Sequence, residues 1–233
     1  PTHPFAGRDP RMAMTIIYPG MDWNGTVVNT LDKTINGKDN ANYPPSANNA
    51  SKTALTWRKY LDEQYANGIW NTNACPIVIR YAEVLLTYAE AVNELSGPSA
   101  DVYDKLDLIR GRVGMPKVDR EKYASKETLR RLIRRERGVE LAGEGVRRAD
   151  ILRWKDDNGK MVAETVLNGV LERVVGTVNY AETDPTKRAE IDTNAPATDK
   201  KIEDRVFKVH NRYNPIPQGA IDNNPNLEQN PGY

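Results

Sequence analysis

From Ile79 to Lys155 apolar residues return at intervals of three and four, and this period restricts the possible folds more than any other feature of the chain. Such spacing puts residues on one side of an α-helix and scatters them over both faces of a strand. In Ile79 to Leu95 the polar residues Arg80, Glu83, Thr87, Glu90 and Glu94 form one stripe. Tyr81, Val84, Leu85, Tyr88, Val92 and Leu95 fill most of the remaining surface, an arc wide enough to need more than one packing neighbour. Ser96-Gly97-Pro98-Ser99 ends this helix and starts another, with Val102, Leu106, Ile109 and Val113 as its inward row and Gly114 and Pro116 as its stop. A third helix follows Ser125, a good N-cap, and turns Leu129, Leu132 and Ile133 inward. A fourth covers roughly residues 146–155. The spacing therefore predicts two antiparallel helical hairpins, residues 79–113 and 126–155, stacked as in tetratricopeptide-like repeats.

Both flanks lack this period. Residues 1–75 hold ten asparagines together with Trp23, Trp57 and Trp70, and Met14 to Tyr18 reads as a possible strand. Asn36 to Ser51, with Gly37 and Pro44-Pro45, reads as a long loop of the kind that often carries function. In residues 157–233, Val162 to Val178 fits helix or strand, Thr183 to Lys201 reads as an exposed loop, and Arg205 to His210 as a short strand. Pro215, Pro217, Pro225 and Pro231 exclude regular helix or central strand from the tail at Asn214 to Tyr233. The fold class expected is mainly α, with helical hairpins, long irregular loops and a few short strands. Three zones, 1–75, 76–156 and 157–233, divide one domain.

Several function classes fall away on composition. Thirty-three basic residues against 32 acidic ones give a net charge of +1, which argues against dependence on a nucleic acid or an anionic membrane. No apolar run approaches a membrane span. Cys75 is the sole cysteine and reads as a small packed thiol rather than a nucleophile. His3 and His210 lie near opposite ends without metal-ligand spacing, so no metal site is expected. With no P-loop, no G-x-G-x-x-G after a strand, no G-x-S-x-G and no H-E-x-x-H, no cofactor is expected either. The opening Pro1-Thr2-His3-Pro4-Phe5 is not a signal peptide, which leaves either a cytoplasmic protein or a piece of a processed or longer one.

Two constellations could carry chemistry. Between Arg130 and Lys155 stand nine basic residues and four acids, Glu136, Glu140, Glu144 and Asp150, interleaved in a way that would repel phosphates. Glu136, Glu140 and Glu144 extend the face begun by Leu129 and Ile133, where an ionised carboxylate must be paired or change its pKa. A glycosidase pair could be built that way. A buried network of carboxylates with Arg137, Arg147 and Arg153 accounts for the pattern better. The second constellation is aromatic: Trp23 in Asp22-Trp23-Asn24-Gly25, Tyr43 before Pro44-Pro45, and Trp70. Flat rings pack on the C–H faces of sugars, while Asp22 and Asn24 could bond hydroxyls. Trp57 and Trp70, which flank Arg58-Lys59-Tyr60, are more easily core residues, Trp70 remaining the third candidate contact.

Four stretches in order resemble the SusD/RagB family. Arg8-Asp9-Pro10-Arg11, followed by Thr15 to Gly20, is similar to that family's R-D-P-R segment. Ile79-Arg80-Tyr81-Ala82-Glu83-Val84-Leu85-Leu86 with Tyr88-Ala89-Glu90-Ala91 resembles its most recognisable helix. Glu136-Arg137, Glu140-Leu141, Glu144-Gly145, Arg147, Asp150 and Arg153-Trp154 match its E-R-x-x-E-L…E-G-x-R…D…R-W pattern. Pro215-Ile216-Pro217 and Asn224 to Tyr233 are similar to its terminus. Ala149, where an aromatic is common, and Asn214, where an apolar residue is usual, depart from the pattern and touch packing only.

The resemblance implies a non-catalytic, lipid-anchored protein of the outer-membrane cell surface, of which this chain is the C-terminal half. It implies four tetratricopeptide-like units, two of them here, docked on a SusC-type TonB-dependent transporter. Irregular loops would hold an oligosaccharide, with Trp23, Tyr43, Trp70, Asp22 and Asn24 as the candidate contacts. The signal peptide and lipid-bearing cysteine of such a protein are not in this sequence. Peptide capture of the RagB kind is the alternative ligand, and a helical-repeat scaffold or an enzyme is the alternative class.

Overall fold

The computed structural model describes residues 2–44, 50–61, 63 and 74–233. They form two compact units: residues 1–147 with 173–200, and residues 148–172 with 201–233.

In the first unit the chain opens with a short helix α1 (Arg11–Thr15) running into β1 (Ile16–Ile17). Met14 and Thr15 are thus helical, and the expected strand shrinks to two residues, paired antiparallel with β6 (Thr56–Trp57). Two tight hairpins follow: β2 (Asp22–Trp23) with β3 (Thr26–Val27), and β4 (Thr34–Ile35) with β5 (Lys38–Asp39). Both turn on Asn-Gly, with φ of 48° and 73° at Asn24-Gly25 and of 52° and 75° at Asn36-Gly37. Two consecutive positive φ values make the type I′ turn that suits hairpin twist, and Asn and Gly tolerate them best. The long loop expected from Asn36 therefore begins as a hairpin.

Helices α2 (Tyr81–Ser96) and α3 (Ala100–Arg112) form the first expected hairpin. Ser99 caps α3 through the Val102 amide, and Ser125 caps α4 (Lys126–Glu140) in a reciprocal capping box with Thr128. Leu86, Val102, Leu106, Leu129 and Ile133 are fully enclosed, with Leu85, Ala89, Ile109 and Leu132 around them.

The second hairpin is not built as expected. α4 packs on α2, while α5 (Arg147–Arg153) is seven residues long and sets Ile151 in the small core of the second unit with Met161 and Ala163. The reason lies on α2. Part of its polar stripe lies along α4 while still reaching solvent: Arg130 reaches Glu94 at 2.6 Å, and Arg137 lies 3.8 Å from Glu90 and 3.1 Å from the Thr87 hydroxyl. Part of the apolar arc is turned outward in consequence.

A second core gathers Phe5, Ile17, Tyr18, Met21, Leu31, Ala54, Val178 and Ala189. Phe5 and Tyr18 stack with ring centroids 4.7 Å apart. Val178 and Ala189 belong to a hairpin of β8 (Gly176–Val178) and β9 (Ala189–Ile191). The stretch read as an exposed loop thus contributes a buried strand residue, and it also carries a helical turn, Ala197–Lys200.

In the second unit the ambiguous segment resolves into a helix, Val162–Val166, and strand β7 (Gly169–Glu172). β7 pairs antiparallel with β10 (Lys201–Arg205), which ends where a strand was expected to begin; Val209–Arg212 is a 3-10 turn instead. The tail holds a six-residue helix, Gln218–Asn223, framed by Pro217 at its N-cap and Pro225 beyond its end. Prolines at those two places delimit a helix without interrupting one.

Candidate functional site

Four stretches of the first unit converge on Glu136 and Glu140 of α4 and on Glu144 just beyond its end. Arg11, buried, donates to Glu136 at 2.8 Å, to Glu140 at 3.1 Å and to Asp9 at 2.6 Å. Arg80, the N-cap of α2, bonds Glu140 at 2.6 Å and Glu144 at 2.7 Å. Arg112 at the end of α3 adds a bond to Glu140 at 2.9 Å, Arg110 closes on Glu136, and Lys59 on Glu144. Each carboxylate is satisfied on both oxygens, as a buried charge requires.

Burial alone would raise the pKa of Glu140, but the hydrogen bonds from Arg80 and Arg11 and the charge of Arg112 outweigh it and hold the carboxyl below its ordinary value. Glu144 is lowered in the same way by Arg80 and Lys59. Asp9 is lowered chiefly by its side-chain bond with Arg11, and the same partners raise the Arg11 guanidinium despite its burial.

Glu140 and Glu144 border a cleft of about 320 Å³, yet their side chains are only 1% and 3% exposed. A carboxylate so enclosed, with its lone pairs taken by guanidinium groups, is poorly placed to move a proton to or from a substrate. The expectation that these acids pair with arginines holds. The arginines named for it do not account for Glu136 and Glu140: Arg11, Arg80, Arg110 and Arg112 come from other segments. Asp150 does meet Arg153, at 2.8 Å, within the second unit.

The aromatic candidates are set differently. Asp22, Trp23 and Asn24 share the β2–β3 hairpin. The Trp23 ring is half-buried against the second core and is covered by the Arg58 guanidinium, 5.2 Å from its centroid. The sequence suggested nothing that would bury it. The burial comes from tertiary contact, since two-residue strands carry no pattern that could foretell it. Asp22 is exposed and ion-paired with Arg188 at 2.7 Å, and the Asn24 amide donates to Glu63 at 2.6 Å. Tyr43 has its own cation, Arg173, 5.4 Å from the ring centroid. Trp70 lies outside the described residues.

Neighbouring polar and aromatic residues are set by the fold as well. Asn29 and Asn40 are buried and committed to the fold: Asn40 bonds the carbonyls of Asn29 and Asp32, and Asn29 bonds Asp32 and the Tyr180 hydroxyl. Trp57, assigned to the core, is 54% exposed. One side of its ring rests on Gly143, where a Cβ would stand 3.4 Å from the ring. No period in Thr56-Trp57-Arg58 signals which side of so short a strand faces water.

A further surface lies on α2. Tyr81, Val84, Tyr88 and Leu95 follow one another at spacings of three, four and seven, and all are exposed, Leu95 at 85%. Exposed apolar stripes of this kind mark surfaces that meet another apolar surface. Among the described residues no helix is long and apolar enough to cross a membrane, and no group of three or more His, Cys, Asp or Glu is placed to hold a metal ion.

Comparison with known proteins gives a consistent result. The sequence model of the SusD family matches residues 1–233. A SusD-like protein P25 of Formosa agariphila is 34% identical over 154 residues, covering 61% of this chain and 29% of its own length. A SusD-like protein of Bacteroides fragilis superposes with a TM-score of 0.71 at 25% identity, over 98% of this chain and 39% of that one. A SusD homolog of Bacteroides thetaiotaomicron shares the fold at a TM-score of 0.58 and 22% identity, over 97% of this chain and 41% of the other. The chain thus spans between about three tenths and two fifths of the length of the relatives it matches.

Proposed function

The chain belongs to the SusD family, and on that premise we propose that it is part of a non-catalytic glycan-capturing protein of the outer-membrane cell surface. Its two units would form the C-terminal portion of one binding domain. Such a protein holds an oligosaccharide and passes it to a SusC-type TonB-dependent transporter, with membrane attachment through an N-terminal lipid on the full-length protein.

One observation carries this reading. The acids that might have served catalysis are locked in the Arg11–Glu140 network, whereas the hairpins of the loop-rich region present rings beside cations at the surface. Trp23 with Asp22 and Asn24 is the first ligand platform proposed, Tyr43 the second, and Trp70 the third. An aromatic face beside guanidinium and carboxylate groups offers a sugar both stacking and hydroxyl contacts. The exposed stripe of α2 supports a protein-facing role for the helices, apart from the ligand.

The test is a calorimetric screen of neutral and acidic oligosaccharides, with short peptides alongside. Saccharide binding that weakens in Trp23→Ala supports the proposal. Binding of peptides alone would move the protein to the peptide-capturing alternative. Turnover of any bound saccharide would remove the non-catalytic reading.

A further inference from the structure

The buried arginines Arg11 and Arg110 are neutralised by carboxylates, whereas Arg8 and Arg135, both exposed, are not. Arg8 donates its Nε to the Pro4 carbonyl at 2.5 Å, and Arg135 donates to the Tyr123 hydroxyl at 3.2 Å. Among the described residues neither guanidinium has a carboxylate within ion-pair distance. Both line one cleft of about 660 Å³, although they stand far apart in sequence. Its apolar wall includes Phe5, Met12, Met115 and Val139.

Acids are close by but already used. Asp9 and Glu136 are taken by Arg11 and Arg110, which lie in the same wall. The cleft therefore offers two cations in excess beside an apolar face. Its volume is within the range of about 300–1,000 Å³ usual for small-molecule sites. Guanidinium forks suit the planar geometry of a carboxylate, which they can bind through two parallel hydrogen bonds. The thioether chains of Met12 and Met115 adapt their shape to an apolar surface.

We propose that this cleft is a subsite for a uronic acid unit of an acidic oligosaccharide. The carboxylate would lie between Arg8 and Arg135, with the C–H face of the ring against Met12 and Met115. The inference rests on the glycan-capture reading and narrows it from glycans in general to acidic ones. It also places a contact away from Trp23, in the segment that precedes the first hairpin.

The experiment is titration calorimetry of the intact protein with tetragalacturonate, with the neutral tetrasaccharide cellotetraose and with tetraglutamate as the acidic peptide. Tetragalacturonate should bind more tightly than cellotetraose, and its affinity should fall as salt rises because both arginines are partly solvated. Arg8→Ala and Arg135→Ala should each weaken that binding roughly tenfold or more, the loss expected of a hydrogen bond to a charged group. Both side chains are exposed, so thermal melting should show the variants folded. Equal affinity for the two tetrasaccharides, or arginine variants that bind as tightly as the parent, overturns the inference and leaves glycan capture standing. Tightest binding of tetraglutamate overturns it in favour of an acidic peptide. Failure of every saccharide to bind removes this inference and the broader reading together.

Discussion

Arg11, at the start of α1, and Arg58, just after β6, both reach toward a partner distant in sequence, and they do opposite work. Arg11 is 4% exposed and is shared by Asp9, Glu136 and Glu140. Arg58 is half-exposed; it lies over the Trp23 ring, bonds the Ala13 carbonyl at 2.7 Å, and stands 4.0 Å from Glu63. The first arrangement leaves no donor or acceptor free for a ligand, and its carboxylates cannot tolerate loss of a partner. The second leaves a ring edge and charged groups open to water. Where ionic groups are most concentrated the protein is being held together. Where they are thinly spread around a ring, it has chemistry to offer.

The contrast breaks first, if it is wrong, at Glu140. Removing that carboxylate in Glu140→Ala takes one partner each from Arg11, Arg80 and Arg112, a change expected to cost about 3–5 kcal/mol. Urea unfolding of the variant measures it, and a loss below about 1 kcal/mol would mean the network is solvated and the contrast empty.

Acid should reach the same place. Glu140, Glu144 and Asp9 have folded pKa values below their ordinary ones. Their stabilisation is therefore complete above the unfolded values, about 4. It is lost as pH falls through the lower folded values. Stability followed from pH 6 downward should drop most steeply below about pH 4, and Glu140→Gln should flatten that drop. An unchanged slope would show that Glu140 is not among the groups taking up protons.

The hairpin side gives smaller numbers. Trp23→Ala should lower saccharide affinity by about 1–3 kcal/mol, on the scale of base–aromatic stacking. It should also lower stability by about 1 kcal/mol, because the ring is half-buried. A stability loss as large as that of Glu140→Ala would make Trp23 a core residue and end its candidacy. Least of all, Asp22→Asn should alter stability by less than about 1 kcal/mol, as expected for an exposed ion pair with Arg188. A larger loss would extend the rigid region into the hairpin.

What could be read ahead of the structure followed locality. Helices α2, α3 and α4 were legible in spacing, and Ser99 and Ser125 in capping preference, because both signals act within a turn or two. The Asn24-Gly25 turn was legible for the same reason. That Glu136 and Glu140 need arginines was also legible, since an apolar face cannot hold a bare charge. Which arginines was not: Arg11 lies in a segment whose local sequence says nothing about α4. Trp23 and Trp57 exchanged places between expectation and structure because two-residue strands carry no alternation to show a buried side. The pairing of α2's polar stripe with α4 was hidden similarly, since its reason is the arginines on that neighbouring helix.

The bond from Arg11 to Glu140 joins residues 129 apart, and that from Arg80 to Glu140 residues 60 apart. Helical turns form from neighbours in sequence, but contacts of this span require long loops to close first. The network is thus expected to form late in folding, locking helices that already exist. Interactions absent from the transition state govern how fast a protein comes apart and leave the speed of its formation almost untouched. The buried arginines are accordingly expected to act as a clock on the folded state, setting how long a molecule lasts once made.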